Sequence, residues 1–143
     1  MSGAIQAASE PVLVLIAEDE EPLAETVAFI VQRAGYYPLV ALNGRQALDI
    51  ARQKRPALVI TDLMLLYLDG TELIAALRAD ARARGEEASP IVLMTAANPA
   101  LARAAGADAL LRKPFHLADL EELLVRFLGP SPSAKRERRA AFG

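Results

Sequence analysis

Five short apolar runs alternate along this chain with segments of helical periodicity, and that alternation restricts the fold more than any other feature. The middle run, Ala57-Leu58-Val59-Ile60-Thr61-Asp62, lies between Pro56 and the turn signal Asp69-Gly70. So short and unbroken a run reads as a strand buried on both faces, as in a parallel sheet. It would deliver its last residue, Asp62, to the carboxyl edge, where open parallel sheets bind ligands.

The other elements follow from the same signals. Val12 to Ala17 is the first strand, and Glu18-Asp19-Glu20-Glu21 comes directly after it. Pro22 suits the first turn of a helix whose positive end meets those acids. Leu23, Val27, Ile30, Val31 and Ala34 form its buried stripe, and Gly35 ends it. Tyr37 to Leu42 is a second strand, which Pro38 assigns to a sheet edge. Asn43 caps a helix running to about Lys54, with Ala47, Leu48 and Ala51 inward. A third helix carries Leu73, Ile74 and Leu77 and ends near Gly85. Ile91 to Thr95 is the fourth strand, 99–105 a short helix and 107–112 the fifth strand. Leu117, Leu120, Leu123, Leu124 and Phe127 are the apolar face of a last helix, which Gly129-Pro130 stops. Right-handed connections then give a (βα)5 unit, a parallel five-stranded sheet with helices on both faces.

Residue totals narrow the class further. A chain of 143 residues, 53% apolar and 24% charged, suits one domain with a packed core. The absence of cysteine removes disulfide frameworks and thiolate metal sites. The first ten residues have neither a basic n-region nor an apolar h-region, and no apolar run approaches the roughly 18 residues of a membrane span. The expectation is a soluble cytoplasmic protein with no membrane partner. Lys135, Arg136, Arg138 and Arg139 against Glu137 give the tail after Leu128 a charge of +3, which leaves −5 on the rest. An acidic body argues against nucleic acid as a partner. Residues 1–10 read as a disordered arm, 11–129 as the domain and 130–143 as a flexible basic tail.

Four strand ends thus send acid (Glu18-Asp19), acid (Asp62), hydroxyl (Thr95) and amine (Lys113) to one edge. Two carboxylates brought together need a cation between them or a proton on one. Hard oxygen ligands with open positions favour Mg²⁺ or Mn²⁺, and Mg²⁺ commonly binds beside phosphate. Thr95 is a donor for phosphate oxygens and Lys113 a compact charge for them. With no cysteine and no serine in an obvious nucleophile motif, a carboxylate is the group to take a phosphoryl group.

From Val12 to Leu128 the chain resembles the response-regulator receiver domains of two-component signalling. The resemblance rests on Glu18-Asp19, Asp62, Asp69-Gly70, Thr95-Ala96 and Lys113-Pro114-Phe115, each in the family's strand order. It implies a flavodoxin-like sheet ordered 2-1-3-4-5 and a cis Lys113-Pro114 bond. It further implies that Asp62 accepts a phosphoryl group from a histidine kinase or histidine phosphotransfer protein. The metal would lie on Glu18, Asp19, Asp62 and the main-chain carbonyl of Met64; Thr95, Ala96 and Lys113 would hold the phosphoryl oxygens. Met64 and Ala97 would tune hydrolysis, and being apolar they imply slow self-dephosphorylation. Output would pass to a downstream protein, with the chain acting as a single-domain switch that catalyses only its own phosphorylation and dephosphorylation.

Three departures from the family pattern bear on output. Leu65 and Leu66 stand where the family usually has Met-Pro, inside an apolar loop running from Leu63 to Leu68. The loop either tucks into the edge of the core or presents Leu65, Leu66 and Tyr67 as a docking or homodimer surface. Leu110 holds the switch position usually filled by an aromatic, and the fourth helix is about one turn short. Phe29, opposite the buried stripe of the first helix, is a further partner contact, and His116 is a helix-start residue. Two other readings compete. A pseudo-receiver binding module would fail to accept phosphate from acetyl phosphate. A small Mg²⁺-dependent phosphatase of the haloacid-dehalogenase type would turn over phosphate esters, but its Asp-x-Asp nucleophile motif is replaced by Glu18-Asp19-Glu20-Glu21.

Overall fold

The computed structural model describes residues 10–96 and 99–130. Of the predicted arm at 1–10 and tail at 130–143, residues 1–9 and 131–143 lie outside the described residues, as does Ala97. Strands β1 (Leu13–Ala17), β2 (Tyr37–Ala41), β3 (Leu58–Asp62), β4 (Ile91–Thr95) and β5 (Ala109–Arg112) form one parallel sheet ordered β2-β1-β3-β4-β5. This is the expected flavodoxin-like order, with the strand of Pro38 at an edge. The helices between and after them are α1 (Glu21–Arg33), α2 (Gly44–Lys54), α3 (Gly70–Ala83), α4 (Pro99–Ala104) and α5 (Leu117–Leu128).

The central runs are continuously apolar because each face of the sheet has its own core. Val14, Ile16, Leu58, Ile60, Val92 and Met94 pack with Val27, Ile30 and Val31 of α1 and Leu120 and Leu124 of α5. The alternate residues Leu15, Ala17, Val59, Ile91 and Leu93 pack with Ala47, Leu48 and Ala51 of α2 and Leu73 and Ile74 of α3. Every position of β3 and β4 is buried, so polar residues can enter only where the strands end.

Local chemistry sets the helix limits. Asn43 Oδ1 accepts the Gln46 N–H at 2.8 Å, capping α2. Asp69 and Glu72 form a capping box on α3: Asp69 Oδ1 takes the Glu72 N–H at 2.9 Å and Glu72 Oε1 takes the Asp69 N–H at 3.2 Å. The Thr71 hydroxyl, donating to Asp69, and the Glu72 N–H hold the Asp69 carboxyl below its ordinary pKa. Its contribution is therefore full above the unfolded value of 3.8 and is lost as pH falls through the lower folded value. Asp69→Ala is expected to lower unfolding free energy by about 1 kcal/mol at pH 7, with little difference left at pH 2–3; urea titration at both pH values measures it.

The fifth strand begins at Ala109, two residues later than the sequence pattern predicts. Asp108 accounts for the shift, because its carboxylate accepts the Ile91 N–H at 2.8 Å while its own N–H donates to the Ile91 carbonyl. Arg78 of α3 donates to that carboxylate at 3.2 Å and to the Gly106 carbonyl at 2.6 Å. The fourth helix has six residues, as short as expected. At the far end of α5, the buried Tyr36 hydroxyl donates to the Gly129 carbonyl.

Candidate functional site

Register brings the predicted residues together. β1 and β4 flank β3, and β5 flanks β4, so Glu18, Asp62, Thr95 and Lys113 leave adjacent strands at the same edge. Main-chain bonds fix the exits: Glu18 N–H to Ala41 at 3.0 Å, Leu63 N–H to Met94 at 3.2 Å, and Lys113 N–H to Thr95 at 2.9 Å. The Lys113-Pro114 bond is cis, as the resemblance implied.

Lys113 Nζ donates to Asp62 Oδ2 at 2.7 Å and to Glu18 Oε1 at 2.9 Å. Glu18 Oε2 accepts the Glu20 N–H at 3.1 Å, and Asp62 Oδ1 accepts the Met64 N–H at 3.3 Å. Glu18 is wholly buried and Asp62 nearly so, whereas Asp19 is exposed. Burial raises the Glu18 carboxyl to about 7; the Lys113 and Glu20 hydrogen bonds oppose this and the Asp62 charge adds to it. Burial pulls the Lys113 ammonium down, but its bonds to Asp62 and Glu18 outweigh that and hold it above its ordinary value. Carboxylate oxygens of Glu18, Asp19 and Asp62 all lie within 4.8 Å of one another. Three hard donors with only one ammonium among them fit a hard divalent cation, and exposed Asp19 leaves room for its waters.

Thr95 is buried at the end of β4 and Ala96, next to it, is exposed. Leu110 is half-buried against the α2/α3 core. Phe29 lies exposed on α1, and the His116 N–H donates to Asp119 Oδ2 at 3.0 Å at the start of α5.

The apolar loop after Asp62 divides in two. Leu63, Leu65 and Leu68 pack against the α2/α3 core, so Leu65 is turned inward rather than presented to a partner. Met64, Leu66 and Tyr67 point outward, with exposures of 73%, 60% and 84%. The Leu66 carbonyl accepts the Leu68 N–H at 2.8 Å across Tyr67, whose φ is +68°. This is the γ-turn with a positive central φ, the rarer and more strained kind. A tyrosine held there costs about 1–3 kcal/mol. The same carbonyl accepts the Gly44 N–H at 3.2 Å, which pins the loop to the start of α2.

Sequence reasoning missed two features here. It assigned Glu18 to the metal alone and did not foresee its bond to Lys113, a residue 95 positions away. It also missed the left-handed backbone of Tyr67. Nothing in the sequence signalled it, because the loop between Asp62 and Asp69 has no glycine or asparagine, the residues that usually mark a positive φ.

Comparison with known proteins follows the same line. A family model described as "Response regulator receiver domain" matches residues 14–125. Response regulator MprA of Mycolicibacterium vanbaalenii is 37% identical over 120 residues, covering 81% of this chain and 48% of MprA. The chain spans about half the length of the curated relatives it matches. Among solved structures, the receiver domain of sensor histidine kinase PA1611 from Pseudomonas aeruginosa has magnesium coordinated in its active-site cleft. It is 27% identical with a TM-score of 0.74, covering 84% of this chain and 99% of that one. The receiver domain of Saccharomyces cerevisiae Ssk1, co-crystallised with the histidine phosphotransfer protein Ypd1, shares the fold at 24% identity. Its TM-score is 0.75, with 82% and 88% of the two chains covered. Among the described residues, no helix is long and apolar enough to cross a membrane.

Proposed function

The chain belongs to the response-regulator receiver family, and from that premise we propose that Asp62 accepts a phosphoryl group from the phosphohistidine of a kinase or phosphotransfer protein. The observation that carries the reading is the Lys113 ammonium 2.7 Å from Asp62 Oδ2, beside a cluster of three carboxylates from Glu18, Asp19 and Asp62. An Asp62 carboxylate oxygen forms a bond to phosphorus as the phosphorus–nitrogen bond of the donor breaks, and the imidazole nitrogen leaves with the electron pair. Charge then collects on the phosphoryl oxygens, and transfer of this kind depends on positioning and electrostatics. Lys113 moves from the carboxylate to those oxygens, where the Thr95 hydroxyl and the Ala96 N–H also donate. Glu18, Asp19, Asp62 and the main-chain carbonyl of Met64 would hold Mg²⁺ or Mn²⁺, which neutralises the phosphoryl oxygens when bound. Output would pass to a downstream protein, and Leu110, packed against the α2/α3 core, offers no aromatic rotamer change to carry it.

The test is labelling of the full chain by acetyl phosphate with and without Mg²⁺. Label on an aspartyl residue that appears only with the metal supports the reading, and no label under either condition refutes it. Metal binding is measurable separately. At about ten times its dissociation constant Mg²⁺ contributes roughly 1.4 kcal/mol, so the melting temperature should rise by about 5 °C. Asp19→Asn should remove most of that rise while leaving the metal-free melting temperature close to wild type, because Asp19 is exposed.

A further inference from the structure

We propose that Gly44 is a positioning residue of the metal site. With no side chain at residue 44, the start of α2 admits two carbonyls of the loop after Asp62, and that contact fixes the Met64 main chain and the affinity for Mg²⁺. The proposal rests on the reading of Glu18, Asp19, Asp62 and the Met64 carbonyl as metal ligands. It adds to that reading the element that holds the last of them still.

The carboxylates reach the site on side chains that can turn, whereas a main-chain carbonyl goes only where its loop goes. The Met64 N–H donates to Asp62 Oδ1 at 3.3 Å, which sets that stretch of main chain beside the acceptor carboxylate. What holds the loop lies outside it. The Gly70 N–H donates to the Leu63 carbonyl at 2.8 Å, and the Gly44 N–H to the Leu66 carbonyl at 3.2 Å. Gly44 is buried, and a Cβ on it would lie 1.6 Å from the Leu68 carbonyl oxygen and 2.8 Å from the Leu68 Cβ. Helix and loop therefore meet main chain to main chain, with no side chain of residue 44 to take up slack. Behind the contact, Ala47, Leu48 and Ala51 seat α2 in the core, so the backing is firm.

The turn at Tyr67 finds its reason in this contact. Leu63, Leu65 and Leu68 supply the loop's core contacts, while Tyr67 is exposed at a φ of +68°. The strained turn serves to aim: it directs the Leu66 carbonyl at the Leu68 and Gly44 N–H groups. Strain of this kind persists where the surroundings over-determine it, and it clusters at ligand sites.

The test is the Mn²⁺ dissociation constant of the full chain without phosphate, from the electron paramagnetic resonance signal of the free ion. Gly44→Ala pushes on the loop from the helix side and should weaken binding about tenfold, the scale on which groups that orient a metal ligand act. Tyr67→Pro acts from the loop side: proline holds φ near about −65°, so the turn opens with no core side chain removed, and the loss should again be about tenfold. Tyr67→Gly removes the same ring but keeps the turn, and should bind within about twofold of wild type. Leu124→Ala leaves a cavity on the opposite face of the sheet and should lower stability with affinity unchanged. Acetyl phosphate labelling of Gly44→Ala should need about tenfold more Mg²⁺ and reach the wild-type rate at saturation.

Wild-type affinity in folded Gly44→Ala, or in Tyr67→Pro, overturns the proposal. So does an equal loss in Leu124→Ala, which would make the effect general loosening, or in Tyr67→Gly, which would assign it to the ring. A lower saturating rate with unchanged affinity would place Gly44 behind Asp62 alone and also overturns it. If Gly44→Ala does not fold, Tyr67→Pro decides by the same criterion. A wild type that binds no Mn²⁺ defeats the underlying reading of the metal site.

Discussion

Asp62→Asn should reduce Mg²⁺-dependent labelling by acetyl phosphate about 10³-fold or to background, with the domain still folded. The amide offers no carboxylate oxygen to bond phosphorus, and loss of a nucleophile has effects of that order. Stability should survive for an electrostatic reason. Lys113 keeps Glu18 as a partner at 2.9 Å, and the neutral amide removes the charge that helps raise the Glu18 carboxyl. A thermal melt at pH 7.5 at or above the wild-type temperature, together with absent label, is the expected pair of results. Retained label on Asp62→Asn would move the acceptor elsewhere and undo the functional assignment.

The second large effect is structural. Gly44 opens α2 where the helix meets the loop after Asp62, and a Cβ there would lie 1.6 Å from the Leu68 carbonyl oxygen and 2.6 Å from its carbon. Those are main-chain atoms, held by the bond from Gly44 to Leu66 and by the γ-turn at Tyr67. No side-chain rotation relieves the clash, so the loop or the helix start must shift. Gly44→Ala should cost about 3 kcal/mol and lower the melting temperature by about 12 °C. Gly85 is the control: its φ is +70° but a Cβ meets nothing within 4 Å, so Gly85→Ala carries only backbone strain of about 1 kcal/mol. Similar melting temperatures for the two variants would show that the clash at Gly44 is absorbed locally.

Much of the fold was legible because burial on both faces leaves a plain trace. Apart from the buried Thr61, β1, β3 and β4 are apolar up to their ends, and Glu18, Asp62 and Thr95, which end or directly follow them, are residues that meet at the site. Pro38 marked the edge strand through its missing N–H, and Asn43 and Asp69 marked helix starts through their side-chain acceptors. The start of β5 was not legible, because the Asp108 side chain takes a bond that strand backbone usually makes. Nor was the division of the loop after Asp62, where six consecutive apolar residues carry no alternation to say which face the core. The two-carboxylate grip on Lys113 lay beyond sequence reasoning for a different cause: its partners are 95 and 51 positions away, and only strand order makes them neighbours.

The bond from Tyr36 to Gly129 carries a mechanical consequence. Tyr36 lies between α1 and β2, so the bond ties the trailing end of α5 to the corner where α1 turns into β2. At its leading end α5 follows the segment in which Lys113 is tethered to two carboxylates. The bond at its tail opposes fraying of the last turn of α5.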